Sequence, residues 1–570
     1  MKKGINAFIV GMLILLVAGM AALAEAVPAA PDSATITQPD GSSFEARQRG
    51  DEWHNWVETV DGYSVVKADD GYWYYISTYS NSTPVLTGVK AHLSPPVDLN
   101  KHIMLPKEEI KKKLAVKNKI NPKAGPNGAF SGKVLFILVE FSNKAHTPAN
   151  NEAAFATLLS TDIADYYSDA SYGNVTLTPA TESSGTANNG VIDWINLATC
   201  KSTTYNHPNT GSTTGVANQQ LAKDAIECAD TSVNFAAYDT NSDGYVDTSE
   251  LAVVIIAAGY EASMSGAPTP NLWGHQWSIS TPPQVDGKYV GAYHNGAGGY
   301  AMFGEVHSSG SNPHIATIGI MVHELGHLIF DWVDLYDTDD SSEGIGAFSL
   351  MSAGSWGKAN NDTYSGKTPV LPCAYDKYLR GWVSGSVGSG TVSITAAGHT
   401  NATSANTVYR ATTSDSNQYF LVENRQAAGY DLGLEKWLGT NFGGGLAIFH
   451  IDTSQTDNTS DTHRLVNLET ADNYQMTSGN KGQNANLWRS GNATTFNNSS
   501  TPNSKLYNGS ASLVSIASIS ATGTTMTAVF STSTTSVTTV PTLDAWSIIG
   551  IIGLSSIAMY RVRRREFSND

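Results

Sequence analysis

Residues 315–330 read IATIGIMVHELGHLIF, an apolar run that carries two histidines and a glutamate. On a helix, residues four apart share a face, so His323 and His327 can reach one metal ion while Glu324 faces a water molecule on it. Zinc lowers the pKa of bound water to about 7, and an adjacent carboxylate can take its proton for attack on a peptide carbonyl. Three ionisable groups in an apolar helix are costly to bury unless they are paired or bind metal. The segment therefore predicts a zinc peptidase site with Glu324 as general base.

Catalytic zinc usually has three protein ligands, so the two histidines require a third. Acidic residues that could supply it follow the predicted helix. The chain continues as DWVDLYDTDD, residues 331–340. In a continuing helix, Asp334 would lie about 10 Å along the axis from His327, too far to share an ion. The helix must therefore end near Phe330 and the chain must fold back if Asp334 is to bind, whereas Asp331 could reach without a break. Asp334 is the predicted ligand, with Asp331 as the alternative.

This region resembles the secreted zinc metallopeptidases typified by immune inhibitor A, whose pattern reads HExGHxLGLPDLYD. Asp334 stands before Leu-Tyr-Asp as the last ligand of that pattern does, so the resemblance implies that it completes the zinc site. The chain departs from the pattern in two ways: Phe330 replaces the glycine that ends the helix, and one extra residue separates His327 from Asp334. Further on, FSLMSAGSW (residues 348–356) resembles the family's methionine turn, which implies that Met351 lies beneath the metal. The family-like segment around His275 is interpreted as structural.

A second spaced set of ligands lies in DTNSDGYVDTSE, residues 239–250. Oxygen ligands stand at loop positions 1, 3, 5, 9 and 12 with glycine at position 6, which is the spacing of an EF-hand calcium loop. The predicted calcium ligands are the side chains of Asp239, Asn241, Asp243, Asp247 and Glu250 and the backbone carbonyl of Tyr245. The following residues, 251–258, read as a buried strand rather than a helix, so the pattern indicates a structural calcium site leading into a central sheet. An Asx-rich surface turn is the alternative.

Both ends of the chain read as targeting signals. Two lysines, an apolar stretch and small residues allowing cleavage after Ala24 or Ala26 predict a signal peptide over residues 1–26. At the other end, residues 531–544 form a Ser/Thr-rich linker with a Pro-Thr-Leu motif, and residues 545–565 form a hydrophobic anchor with a basic stop. This arrangement resembles bacterial carboxy-terminal sorting signals. We expect an exported protein, extracellular or anchored in a bacterial envelope.

The amino-acid composition limits the classes of binding partner and the number of disulfide bonds that we expect. A formal net charge of −17 with only 34 lysines and arginines argues against nucleic acid and anionic membrane surfaces as partners. Proteins or peptides are the expected substrates, with membrane contact through the anchor. Three cysteines are too few for a disulfide scaffold, but Cys200 and Cys228 could form one bridge and leave Cys373 free.

The length requires several domains. Residues 27–125, with short aromatic and β-branched runs split by Asp-Gly turns, resemble the propeptide of the same family. The catalytic domain is predicted over residues 126–390 as an α/β zincin-like fold, a mixed sheet with the active-site helix, opening with a buried strand at 133–141. Alternating short strands and polar turns predict an all-β domain over residues 391–530.

Two other interpretations remain from the residues alone. One is a calcium-stabilised surface adhesin or envelope protein with an inactive zinc site, which the changed spacing after His327 favours and Glu324 opposes. The other is a different zincin class with Glu343 as third ligand, although residues 341–346 do not read as helical. Spacing does not identify the group that stabilises the oxyanion. Tyr364, which follows the methionine turn, is a candidate.

Overall fold

The computed structural model describes residues 25–532 apart from residues 81, 108, 111–127, 209–215, 295, 311, 386–388, 475 and 478. These described residues belong to one compact unit. Most of the predicted signal peptide and linker, and all of the predicted anchor, lie outside them. Within the described part, no helix has both the length and the apolar character needed to cross a membrane.

A mixed sheet of nine described strands forms the centre of the predicted catalytic region. Its main path runs Glu25–Ala26, His275–Trp277, Tyr300–His307, Ala252–Glu261, Phe130–Glu140 and Val191–Asn196, and Asn271–Leu272, His314–Ile315 and Val175–Pro179 pair alongside. The four strands at the Val191–Asn196 end are parallel. Strand His275–Trp277 joins them antiparallel, and Glu25–Ala26 adds to it, also antiparallel.

The central strands are buried on both faces. Strand Ala252–Glu261 reads AVVIIAAGYE, the near-continuous apolar run typical of such strands. Val254 and Ile256 belong to the hydrophobic core that contains the active-site helix, and Val253 and Ile255 belong to a second core on the opposite face. The buried strands predicted at residues 133–141 and 251–258 are therefore confirmed, as is the mixed α/β character of this region.

The described helices are short, with two longer exceptions that cover the two faces of the sheet, Val216–Ala229 and Ile318–Phe330. The other α-helices are Glu152–Thr157, Ala164–Ala170, Leu197–Cys200, Ala374–Leu379 and Glu435–Leu438, with a π-helix at Leu158–Ile163 and 3-10 turns at Phe235–Ala237, Gly346–Phe348, Ala353–Trp356, Gly429–Leu434 and Asn484–Asn486. The expected Cys200–Cys228 disulfide joins two of these helices, and Cys373 is free and buried.

An antiparallel sheet precedes the catalytic region. Its six described strands are Ala34–Thr37, Ser43–Gly50, Asn55–Thr59, Ser64–Lys67, Trp73–Ser80 and Thr83–Lys90, paired in chain order. The Asp-Gly turns fall between strands as predicted. At Gly62, φ is 89° and an added Cβ would lie 2.8 Å from His102 Cε1, so this turn requires glycine.

Two further sheets lie after the catalytic region. One contains Val408–Thr412, Gln418–Arg425, Gly445–Asp452 and Val466–Leu468, and the other contains Gly390–Thr395, Val514–Ala517 and Thr525–Thr532. Two small sheets lie near residues 239–250, the acidic loop. One contains Tyr245–Val246, Gln284–Val285 and Lys288–Val290, and the other contains Tyr293–His294 and Ala297–Gly298.

The four-stranded sheet shares the hydrophobic core of the active-site helix, through residues such as Leu421 and Phe449. The fully buried Glu423 carboxylate also accepts from Lys377 Nζ at 3.0 Å and from Arg425 Nη1 at 2.8 Å. The domain boundaries drawn from the sequence stay predictions.

Candidate metal centre

The active-site helix, Ile318–Phe330, is buried along its whole length. After the helix the chain turns back toward it, as Asp334 would need in order to reach the histidines. Asp331 makes this turn in the left-handed conformation, with φ 53° and ψ 34°. The Asp331 N–H donates to the His327 carbonyl at 3.0 Å, and the Trp332 N–H donates to the Gly326 carbonyl at 3.3 Å. Such bonds close a helix C-terminus, usually with glycine in the left-handed position, and aspartate tolerates this conformation better than most residues. The extra residue is thus absorbed by a turn at Asp331 rather than at position 330.

Gly326 allows the returning chain to lie against the helix. A Cβ at this position would stand 2.8 Å from the Trp332 ring and 3.0 Å from Met351 Sδ. The first of these contacts is with a rigid ring, so a larger side chain would force the turn away. Met351 is fully buried and lies beside Gly326, and its place beneath the metal stays a prediction.

The fold brings three predicted ligands together. His323 Nε2 and His327 Nε2 lie 3.0 Å apart, and each is 3.2 Å from Asp334 Oδ1. Among the residues that the structure describes, this is the one group of three or more His, Cys, Asp or Glu side chains whose ligand atoms all lie within 4.8 Å of one another. All three side chains are buried.

The hydrogen bonds of the two imidazoles indicate which nitrogen carries the proton. His323 Nδ1 lies 3.0 Å from the Leu350 carbonyl oxygen, and His327 Nδ1 lies 2.6 Å from the Trp332 carbonyl oxygen. A carbonyl only accepts, so each Nδ1 is the donor and each neutral ring presents a lone pair at Nε2. Burial lowers the pKa of His323, which favours the neutral ring. Two lone pairs and a carboxylate oxygen at these distances repel unless a cation lies between them, so the donor set fits zinc.

Glu324 lies on the same helix and is also fully buried. Burial raises its pKa well above the usual value for glutamate. Its Oε1 accepts the backbone N–H of Val27 at 2.8 Å. On the far side of the ligand group, the Tyr336 hydroxyl lies 3.2 Å from Asp334 Oδ2 and 3.3 Å from Asp51 Oδ2. Asp334 therefore turns one oxygen to the histidines and the other to a phenol.

The rival carboxylates lie outside the three-residue group. The Asp331 carbonyl accepts Arg380 Nη2 at 3.1 Å, and the Asp331 carboxylate lies near enough to Arg380 to act on its pKa. Glu343 forms an ion pair with Lys481 and accepts the Gly479 N–H at 2.5 Å. Neither residue belongs to the described group that could hold a metal ion.

Tyr364 is a candidate for stabilising the oxyanion, and His275 is expected to be structural. Tyr364 stacks on His314, with ring centroids 3.5 Å apart, so its hydroxyl role stays a prediction. His275 is fully buried, with Nδ1 2.8 Å from the Trp273 carbonyl and Nε2 3.4 Å from the Tyr300 hydroxyl. These contacts agree with the structural role expected for His275.

The acidic loop at residues 239–250 has the expected glycine turn, with φ 90° at Gly244. Its carboxylates accept bonds from within the loop and from one lysine. Asp239 accepts the N–H of Asp243 at 3.0 Å and Lys288 Nζ at 2.6 Å, and Glu250 Oε1 accepts the Thr240 N–H at 2.6 Å. Asn241, Asp243 and Asp247 each accept a backbone N–H two residues further on. The calcium assignment therefore stays a prediction.

Sequence reasoning missed the segment that follows the predicted signal peptide. Its backbone runs through the site: the Val27 carbonyl accepts Trp273 Nε1 at 2.9 Å, and the Pro28 carbonyl accepts Trp356 Nε1 at 2.8 Å. The Ala30 N–H donates to the Ser263 carbonyl at 2.8 Å. No local spacing signals a contact between residues 297 positions apart, such as Val27 and Glu324.

Comparisons with known proteins agree with this geometry. Residues 123–386, which include all three predicted ligand residues and Met351, match the family model described as the immune inhibitor A peptidase M6 catalytic domain. Immune inhibitor A of Bacillus thuringiensis subsp. alesti is 28% identical over 179 residues, which cover 29% of this chain and 25% of that protein. The chain thus spans about a quarter of the length of the curated relative it matches. Residues 123–386 of this chain are therefore similar to the catalytic domain of the immune inhibitor A peptidase M6 family.

Proposed function

We propose that this chain is an exported zinc endopeptidase that hydrolyses peptide bonds of extracellular proteins. The observation that carries the proposal is the convergence of His323 Nε2, His327 Nε2 and Asp334 Oδ1 within 4.8 Å, with Glu324 one residue from a ligand on the same helix. An inactive adhesin has no need of a general base at this position.

Each side chain has a role in the proposed reaction. His323, His327 and Asp334 would hold zinc, which when bound lowers the pKa of a water molecule and polarises the scissile carbonyl. Glu324 would take the proton of the attacking water and pass it to the leaving amide nitrogen. The Val27 N–H donates to Glu324 Oε1 at 2.8 Å, so a peptide nitrogen lies close enough to this carboxylate for the second transfer.

Strand His275–Trp277 would bind the substrate. An extended peptide can add to an exposed sheet edge through main-chain hydrogen bonds, which tolerate many sequences. Residues Glu25–Ala26 pair with Gln276 and His275 in this manner. Substrate proteins would therefore bind in an extended conformation, antiparallel to this strand.

We further propose that the full chain is a zymogen whose propeptide, residues 27–125, covers the site. The Val27 N–H donates a hydrogen bond to the Glu324 carboxylate. The N-terminal region also forms ion pairs with the acidic residues that follow Asp334 in the chain. There Arg49 Nη2 lies 3.0 Å from Asp340 Oδ2, and Lys107 Nζ lies 3.2 Å from Asp339 Oδ2. Removal of these residues would free the Glu324 carboxylate from the Val27 N–H.

Export and calcium binding belong to the same proposal. The signal peptide, the linker and the anchor predicted from the sequence support an extracellular or envelope location. The ligand spacing at residues 239–250, with Gly244 in the left-handed turn, supports calcium as a structural cofactor.

A pair of substitutions tests the peptidase proposal. Glu324→Gln should keep zinc and fold but lower casein hydrolysis by about 10²- to 10⁴-fold after maturation, because only the proton acceptor is removed. His323→Ala should lose both zinc and activity. Zinc content and casein turnover are measured on the same preparations. Wild-type turnover in Glu324→Gln would refute the mechanism.

A further inference from the structure

The N-terminal segment shows how a peptide lies in this site. Glu25 and Ala26 pair antiparallel with the edge strand, and the next backbone nitrogen, that of Val27, is 2.8 Å from Glu324 Oε1. A general base that protonates the leaving amine must contact the nitrogen of the scissile bond. The Ala26–Val27 peptide therefore occupies the position of that bond, and Val27 marks the first residue on the leaving-group side.

The contacts that follow Val27 are made by the peptide backbone. The carbonyls of Val27 and Pro28 accept from tryptophan side chains, and the Ala30 N–H donates to the Ser263 carbonyl. The Asp32 carbonyl accepts Ser265 Oγ at 2.5 Å. Because backbone groups are common to all peptides, a substrate of another sequence can follow the same path as far as Asp32.

Asp32 adds a contact that depends on the side chain. Its carboxylate lies 2.9 and 2.8 Å from Lys436 Nζ, and that ammonium also donates to Ser365 Oγ at 2.5 Å. The Lys436 side chain is 12% exposed and the Asp32 side chain 46% exposed. The lysine is thus part of the wall of the site, and the aspartate is the group that docks against it.

Charge around Lys436 favours an anion at this position. Burial lowers the pKa of Lys436, Asp32 raises it, and the nearby cations Lys358 and Lys481 lower it further. Although burial opposes ionisation of Asp32, Lys436 and Ser365 lower the pKa of that carboxyl. Because Lys481 is paired with Glu343, Lys436 and Lys358 are the cations that leave this position short of negative charge once Asp32 departs.

We propose that Lys436 is a specificity-determining residue that selects substrates with an acidic side chain at the sixth residue after the scissile bond. This inference rests on the proposed peptidase function. In the mature enzyme a substrate Asp or Glu would take the place of Asp32. Signal-peptide cleavage after Ala24 leaves the Ala26–Val27 bond in the chain, whereas cleavage after Ala26 leaves a chain that begins at Val27. Both products keep Val27–Asp32 and with it the contact between Asp32 and Lys436.

The test uses the full chain, matured as it is secreted, with a randomised peptide library. Cleavage sites are mapped by mass spectrometry. Then kcat/KM is measured on three peptides built on the best-cleaved sequence, with Asp, Asn or Lys at the sixth position after the cut. We expect the Asp peptide to be cleaved about three- to tenfold better than the Asn peptide, and the Lys peptide to be the poorest. Ratios within one preparation do not depend on the activated fraction.

Two variants assign the preference to the lysine. Lys436→Glu should reverse the order and favour the Lys peptide. Lys367→Glu is the matched control, since Lys367 is half exposed and pairs with Asp162 at 3.0 Å, and it should keep the wild-type order. The wild-type series decides the matter alone if Lys436→Glu fails to fold. Equal kcat/KM for all three peptides overturns the inference, as does an unchanged order in folded Lys436→Glu. A wild type that cleaves neither peptides nor casein instead refutes the peptidase proposal itself.

Discussion

The metal-site segment, residues 318–334, and the acidic loop, residues 239–250, both carry ligands at regular spacing but hold them differently. In the first, a helix sets two imidazoles on one face, and backbone carbonyls orient both rings. In the second, the loop's own backbone N–H groups and Lys288 engage the carboxylates.

The difference lies in what supplies the geometry. Helix hydrogen bonds fix the distance between His323 and His327, and the turn at Asp331 brings Asp334 to them, so the group is preorganised. A loop has no such frame, and the side-chain oxygens of Asn241 and Asp247 accept Asx-type bonds that resemble those of an ordinary turn. Spacing alone is therefore stronger evidence for a site on a helix than for a site on a loop.

The buried His275 can be compared with His323. In both rings Nδ1 contacts a backbone carbonyl, but Nε2 of His275 faces the Tyr300 hydroxyl and not a group of metal ligands. Burial lowers its pKa from 6.5 to about 4. Between about pH 6.5 and pH 4 the unfolded chain binds a proton that the folded protein does not, so the contribution of His275 to stability falls as the pH falls across this interval and levels off below it. The loss is on the order of 3 kcal/mol across that range.

His275→Gln should therefore weaken the pH dependence of unfolding between pH 7 and pH 4. The measurement is the free energy of unfolding by urea at both pH values, for wild type and variant. An identical difference between the two pH values in both proteins would show that His275 does not titrate in this way.

The acidic loop gives the smaller expected effect. Calcium at a hundredfold excess over its Kd should stabilise the folded protein by about 2.7 kcal/mol, since ligand that binds only the folded state adds RT ln(1 + [L]/Kd). A calcium-selective chelator should lower the melting temperature without removing zinc. Glu250→Ala should make stability insensitive to calcium, whereas the exposed control Asp69→Ala should keep the response. A wild-type melting curve that ignores calcium would leave only the acidic-turn interpretation.

Local patterns predicted much of the fold and the metal group. The active-site helix, its end near Phe330 and the buried strands at 133–141 and 251–258 all follow from apolar periodicity and from the reach of a side chain. The identity of the turning residue was not predictable from the family pattern, because an extra residue moved the left-handed position to Asp331.

Long-range contacts account for what sequence reasoning missed. Val27 meets Glu324 across 297 positions, and Asp32 meets Lys436 across 404. Neither contact has a periodic or spaced signature. The packing of the four-stranded sheet against the catalytic core was likewise not predicted, because apolar strand faces do not specify which surface they cover.

The most direct test of the central claim compares two carboxylates three positions apart. Zinc per chain is measured by atomic absorption after dialysis against a weak chelator, for wild type, Asp334→Ala and Asp331→Ala, with Asp331→Asn as a variant that tolerates the left-handed turn. Loss of a metal ligand should weaken zinc binding far more than loss of a neighbouring carboxylate. The account predicts that Asp334→Ala loses its zinc while both Asp331 variants retain it. Zinc lost from both Asp331 variants and kept in Asp334→Ala would contradict it.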